Sequence, residues 1–243
     1  NLTTDFNFLT VAQYGPRKNL VNTIKWFVEE FCKENVGLVV KTNIAKNCLC
    51  DRHVSFNSFS GIVDNFPERQ CKVYLLHGDM TDTEMHSLYK HNNIDAFLSL
   101  PHGEGFGLPL FEAAYSGLPV VATGWSGHLD FLTDEEGNEH FYNVAFDLQP
   151  VQQEVVWDGV LIKESMWAYA REQSAKEKMR LCYEQMTNEE TRGTEMIALE
   201  QNVKRLHETF SAEKMYERFV DLFYSISPEE EEWSKVLAEI DLA

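Results

Sequence analysis

Positive charge is scarce in this 243-residue chain: 21 Lys and Arg stand against 39 Asp and Glu, a formal charge of −18. That balance opposes binding to nucleic acid or to an anionic membrane through a general electrostatic face. Any phosphate held here must be held by local, well-aimed groups. Long apolar runs are also lacking, as is a secretory leader pattern, so the chain reads as soluble and cytoplasmic. Cysteines are few and odd in number, five in all. Cys48 and Cys50 stand one residue apart, a spacing of neither a zinc knuckle nor a thioredoxin-type pair, so ordinary thiols in a reducing compartment are expected. There is no internal repeat. What is present is 44% apolar and 12% aromatic residues, enough for one large folded domain. The chain opens at Asn1, without Met and directly ahead of a strand signal, as expected of a piece of a longer polypeptide.

Elements alternate through the first 146 residues. Strands are predicted at 6–13, 36–42, 71–78, 94–100, 118–124 and 142–148, and helices at 19–34, near 58–66 and at 82–92. The strands are near-continuous apolar runs, which describes a Rossmann-like parallel sheet covered by helices on both faces. Residues 163–226 carry long charged segments with helical periodicity and no strand signal. The last has Met215, Phe219, Leu222, Phe223 and Ile226 on one face. An acidic tail over 227–243 completes the chain after a domain spanning 1–226.

The stretch FLSLPHGEGFGLPLFEAAYSGLPVVATGWSGH (97–128) concentrates the chemistry. Gly103, Gly105 and Gly107 follow a strand, and glycine lets a ligand approach the main chain closely. Pro109 opens the next helix, where its missing N–H is not needed. The free N–H groups of that turn, backed by the helix dipole, form an anion site that needs no basic side chain. Glu104 lies in the turn and Glu112 a helical turn inside. Two carboxylates at different depths suit an elongated, hydroxyl-rich ligand, since each accepts paired hydrogen bonds from a diol. At this level the plainer alternative stays open: a surface Glu112 and a turn merely shaped by its glycines.

With these residues in view, EGFGLPLFEAAYSGLPVVAT resembles the signature of the family 4 retaining glycosyltransferases, which carry Glu-x7-Glu in this strand–turn–helix setting. FLTVAQYGPRKNL is similar to that family's first strand and lysine-bearing loop. LHGDMTDTEMHSLY is similar to the strand and helix beside its base pocket, and FSAEKMYERFVDLFYSI to its closing helix. The likeness runs over residues 5 to 226. It implies a GT-B enzyme of two Rossmann-like domains, this chain being the second, donor-binding one. Carried over by position, Glu112 would bind ribose hydroxyls and Glu104 the donor hexose. Gly105, Phe106, Gly107 and Leu108 would give backbone contacts to sugar and phosphate, and Lys18 would stabilise the departing diphosphate. No metal or other cofactor is implied; the nucleotide diphosphate sugar is the donor substrate. All these groups should converge at the carboxyl ends of the strands.

The sequence departs from the pattern at Gln13, where the family usually has arginine; Arg17 or Lys41 are the candidate substitutes. PHGEG is one residue shorter than the usual approach to the first glutamate, and His102 in it is expected to bond to backbone. GWSGH (124–128) matches a loop that in the family closes over the acceptor side, or is a plain strand-to-helix turn. The acceptor (glycan, lipid or protein) would bind through an amino-terminal domain, without which transfer should be slow. An aromatic face at Tyr216, Phe223 and Tyr224 predicts self-association. Two alternatives stand beside this reading: another GT-B enzyme, such as a sugar-nucleotide epimerase, and a non-catalytic nucleotide-sugar-binding module.

Overall fold

The computed structural model describes residues 2–224; the acidic tail at 227–243 and the side chains of Phe223 and Tyr224 lie outside the described residues. Residues up to Val203 form one compact unit and those from Lys204 a second. The first is built on a parallel sheet of β1 (Phe6–Val11), β2 (Val36–Thr42), β3 (Lys72–His77), β4 (Ala96–Ser99), β5 (Val120–Thr123) and β6 (Tyr142–Val144). Their spatial order is β3-β2-β1-β4-β5-β6, every pair parallel. Helices α1 (Leu20–Glu30), α2 (Leu49–Val63), α3 (Asp82–Tyr89), α4 (Leu108–Tyr115) and the short α5 (Leu129–Leu132) connect them. This is the doubly covered Rossmann-like α/β sheet that the apolar strand runs imply. β1, β2, β4 and β5 are buried along almost their whole length, as strands covered on both faces must be.

Chain order fixes where a ligand is met. From β1 the chain steps outward to β2 and β3 through α1 and α2, which pack on each other. It then returns through α3 to β4 and steps the other way through α4, which packs on α3. With right-handed crossovers the two helix pairs fall on opposite faces. Strand order therefore reverses between β1 and β4, and the crevice above their carboxyl ends is the switch point where such sheets bind ligands. Below it, Phe8 of β1 meets Phe27 and Phe31 of α1 at ring separations of 6.1 and 5.7 Å, filling one face of the core.

Three expectations are corrected. The helix predicted near 58–66 is α2, which starts at Leu49. Its buried positions are Asp51, Ser55, Phe59 and Val63, four residues apart. The first two are polar, so the inward face carries no apolar signal before Phe59. Next, the strand read as 142–148 is two. β6 ends at Val144, and β7 (Phe146–Pro150) leaves the sheet to pair antiparallel with β8 (Met166–Ala170). Finally, β8 falls inside the segment expected to lack strands. Met166–Ala170 is short and flanked by Lys163, Glu164, Arg171 and Glu172, which hid it among helical charge patterns.

Helices α6 (Glu172–Thr187), α7 (Glu189–Thr209) and α8 (Ala212–Tyr224) follow, α8 covering most of the expected closing helix. Arg180 of α6 bonds Glu30 and Glu34 at 2.7 Å each, fastening α6 to the end of α1. No helix of the described residues is long and apolar enough to cross a membrane.

Candidate functional site

The carboxyl end of β1 runs into a 3-10 turn, Pro16–Lys18, and Asn19 then starts α1 in the left-handed conformation that Asn tolerates. This turn carries two cations to the switch point. Lys18 Nζ bonds Glu104 Oε1, and Arg17 Nη1 lies 3.1 Å from Glu104 Oε2 and also donates to Gly103 O. The Glu104 side chain is only 9% exposed, so both carboxylate oxygens are taken by cations at the edge of the protein interior. Two cations against one carboxylate leave a local positive charge in a chain of −18. That is the well-aimed group which the overall charge demands of any phosphate site.

The glycine turn is held from three sides. His102 N–H donates to Arg17 O at 2.8 Å, coupling the turn to the cation-bearing segment. His102 also locks onto β8: its Nδ1 donates to Ala168 O at 2.8 Å, and Ala168 N–H donates to His102 O at 3.0 Å. Its ring stacks on Trp167 at 5.2 Å. His102 is therefore bonded to backbone, as expected, and burial pushes its pKa below the ordinary value. From the third side, Gly127 N–H donates to Glu104 O at 3.1 Å. A Cβ on Gly127 would stand 1.7 Å from Gly105 O, so the two loops touch backbone to backbone. Next to it His128 is fully buried, its Nε2–H donating to Thr123 O at 2.7 Å.

Gly107 caps α4 with φ of 87°, and Pro109 occupies the first turn. The first-turn N–H groups of α4, those of Leu108 and Leu110, have no preceding helical carbonyl to bond, and Phe106 and Leu108 are exposed beside them. Glu112 sits one turn further. It is exposed and lines a cavity of about 210 Å³ between α3 and α4 with His86, Tyr89 and Phe111. Its charge, after burial itself, raises the Tyr89 pKa. Of the sequence-predicted residues, Arg17 and Lys18 meet Glu104 at the carboxyl ends of β1 and β4, whereas Glu112 lines the cavity between α3 and α4.

Two candidates are engaged elsewhere. The Gln13 amide donates to Ile44 O at 2.7 Å, tying β1 to the loop after β2. Lys41 Nζ donates to Gly78 O, and burial lowers its pKa despite nearby Asp79. The loop after β2 is organised by a residue passed over in the sequence. Asp51 accepts N–H bonds from Ile44, Ala45 and Lys46 at 2.9, 2.8 and 2.8 Å, and a 2.7 Å bond from His77. These backbone donors hold its carboxyl well below the usual carboxylate range. Asp51 lies in the first turn of α2, three residues after its cap Cys48.

A family model described as glycosyl transferases group 1 matches residues 2–144, more than half of the chain. The chain belongs to the group 1 glycosyltransferases. This glycosyltransferase domain is 30% identical over 118 residues to the serotype-specific mannosyltransferase WbdA of Escherichia coli, a match covering 47% of the domain and 13% of WbdA. It thus spans only a small part of that relative. Among solved structures it matches the C-terminal domain of a group 1 family protein, LpcC, from Francisella tularensis. The TM-score there is 0.54 and the identity 18%, covering 85% of the domain and 86% of that chain. It also matches an E. coli trehalose-6-phosphate structure bound with UDP-2-fluoro glucose, with a TM-score of 0.60 and 11% identity. That match covers 93% of the domain and 46% of the other chain. At these identities the structural matches show the fold.

Proposed function

We propose that this domain binds the donor of a retaining glycosyltransferase that moves a hexose from a nucleotide diphosphate sugar to an acceptor. The observation that carries the reading is the meeting of Arg17 and Lys18 with Glu104 at the β1/β4 switch point, beside the open N–H groups of α4. In the bound state the diphosphate takes the two cations and those N–H groups. Lys18 then stabilises the charge that grows on the diphosphate as the glycosidic bond breaks, a fixed cation aimed where charge develops. Arg17 supplies the second cation, the role that Gln13 and Lys41 leave open. Glu104, released from the cations, accepts hydrogen bonds from the hexose hydroxyls, and Glu112 from the ribose diol. Side-chain cations neutralise the diphosphate in this scheme, with no metal or other cofactor called on.

The acceptor, a glycan, lipid or protein, is held by a wall outside these 243 residues. Holding two substrates in register is worth on the order of 7–11 kcal/mol of a barrier when geometry is near ideal. The domain alone therefore binds donor but transfers slowly. Its five free thiols suit a reducing, cytoplasmic setting. Titration calorimetry against UDP, GDP, ADP and their sugars tests the reading. Saturable binding of one of these series, weakened in Lys18→Ala, is expected; absence of binding by all of them overturns it. The non-catalytic alternative shares the binding result. It is separated by assaying transfer after the second wall is supplied.

A further inference from the structure

Ser126 stands in a conformation that a serine should avoid. Its φ is 93°, in the half of backbone space where a Cβ is penalised, while the next residue, Gly127, would adopt it freely. The other described non-glycine residue with positive φ, Asn19, is of a type that tolerates the left-handed region. What the serine adds is one hydroxyl. Ser126 Oγ accepts the Glu104 N–H at 3.0 Å and donates to the Glu104 carbonyl at 2.5 Å, gripping both main-chain groups of one residue. Backbone outliers that persist are held by their surroundings and cluster at functional sites.

We propose that Ser126 is the positioning residue that keeps Glu104 aimed at the donor sugar, an inference that rests on the donor-site reading above. Glu104 is held twice. Its carboxylate is fixed by Arg17 and Lys18, and its backbone by Ser126 with Gly127. A diphosphate draws the two cations away, which frees the carboxylate and removes the first hold. The Ser126 hydroxyl is uncharged and does not compete for phosphate in this way, so its grip persists when the carboxylate turns to the sugar. The strain at Ser126 is thereby tied to the part of the donor that is transferred, not to its nucleotide.

Two variants separate the hydroxyl from the strain. Ser126→Ala keeps the Cβ at positive φ and loses the hydroxyl; Ser126→Gly loses both. Two readouts are taken on the 243-residue chain: amide hydrogen exchange at Glu104 and Gly105, and affinities for UDP against UDP-glucose and GDP against GDP-mannose. Both variants should exchange the Glu104 amide about tenfold faster. Both should lose roughly tenfold of the sugar's contribution while binding the bare nucleotide diphosphate as before. Ser126→Gly should melt several degrees above Ser126→Ala, so that affinity does not follow stability. Unchanged exchange at Glu104, or affinity losses that follow melting temperature or fall equally on the bare nucleotide, would overturn the proposal. If the unaltered chain binds no nucleotide at all, the donor-site reading fails, and the exchange arm still decides whether Ser126 holds Glu104.

Discussion

The two halves of the sheet solve one problem differently. In the β1–β2–β3 half, side chains strap down the loops over the carboxyl edge. Asp51 gathers three successive backbone N–H groups, Gln13 holds Ile44, and Lys41 holds Gly78. In the β4–β5–β6 half the loops are glycine-tight: Gly127 lies against the Gly105 carbonyl, Gly107 packs under the His128 side chain, and Ser126 Oγ bonds the Glu104 main chain. The first half delivers cations on side chains that can let go. The second places the backbone N–H groups of a closely packed turn beside Glu104.

The comparison breaks most sharply at Gly127. Replacing it with Ala puts a methyl into the Gly105 carbonyl, and the loops must separate. Overpacking of this kind costs up to about 3 kcal/mol, read as lower stability in denaturant together with loss of nucleotide affinity. Little change in either would show that the second half is not rigid. The matching test in the first half is Asp51→Ala, which strands three N–H donors. A fall of several degrees in melting temperature is expected, with faster exchange confined to residues 44–46 and their neighbours. Unfolding of the second half at the same step would remove the distinction.

Binding sharpens the contrast on a smaller scale. Lys18→Ala and Glu112→Gln should each weaken nucleotide diphosphate binding by about 2 kcal/mol, as for hydrogen bonds involving a charged group. Only the lysine effect should shrink in high salt, because it opposes phosphate charge. Glu112→Gln should leave the melting temperature unchanged, since the side chain is exposed. A large stability loss there would make Glu112 structural.

The smallest effect is with pH. Burial lowers the pKa of His102 and of His128, so the folded chain resists protonating them while the unfolded chain does so near 6.5. Their contribution is complete above that value and is lost as pH falls below it. Melting temperature should decline from pH 7 to pH 5, and His102→Gln should flatten that decline. A profile that rises on acidification would contradict the assignment.

Much of this was legible before the fold was seen. The apolar runs located the six parallel strands, because a strand buried on both faces leaves little room for polar residues. Glu104, Glu112 and the glycines between them announced a strand–turn–helix, which is present as β4, the glycine turn and α4. What escaped is polar. Asp51 and Ser55 are polar on the buried face of α2, and Ser126 is a serine at positive φ between Trp125 and Gly127. Asp51 and Ser126 bond main-chain groups of neighbouring loops, which hydrophobic periodicity does not announce. The β7–β8 pair was hidden by the shortness and charged flanks of β8, although His102, 66 residues before Ala168, anchors it.

The most direct test of the account is a crystal structure of the chain with the nucleotide diphosphate sugar it binds best. The account predicts the diphosphate between Lys18 and the N–H groups of 105–108, the ribose on Glu112, and Glu104 turned from Lys18 to the sugar with its backbone still on Ser126. A donor bound away from the β1/β4 switch point, or one that leaves the Lys18–Glu104 pair intact, would contradict it.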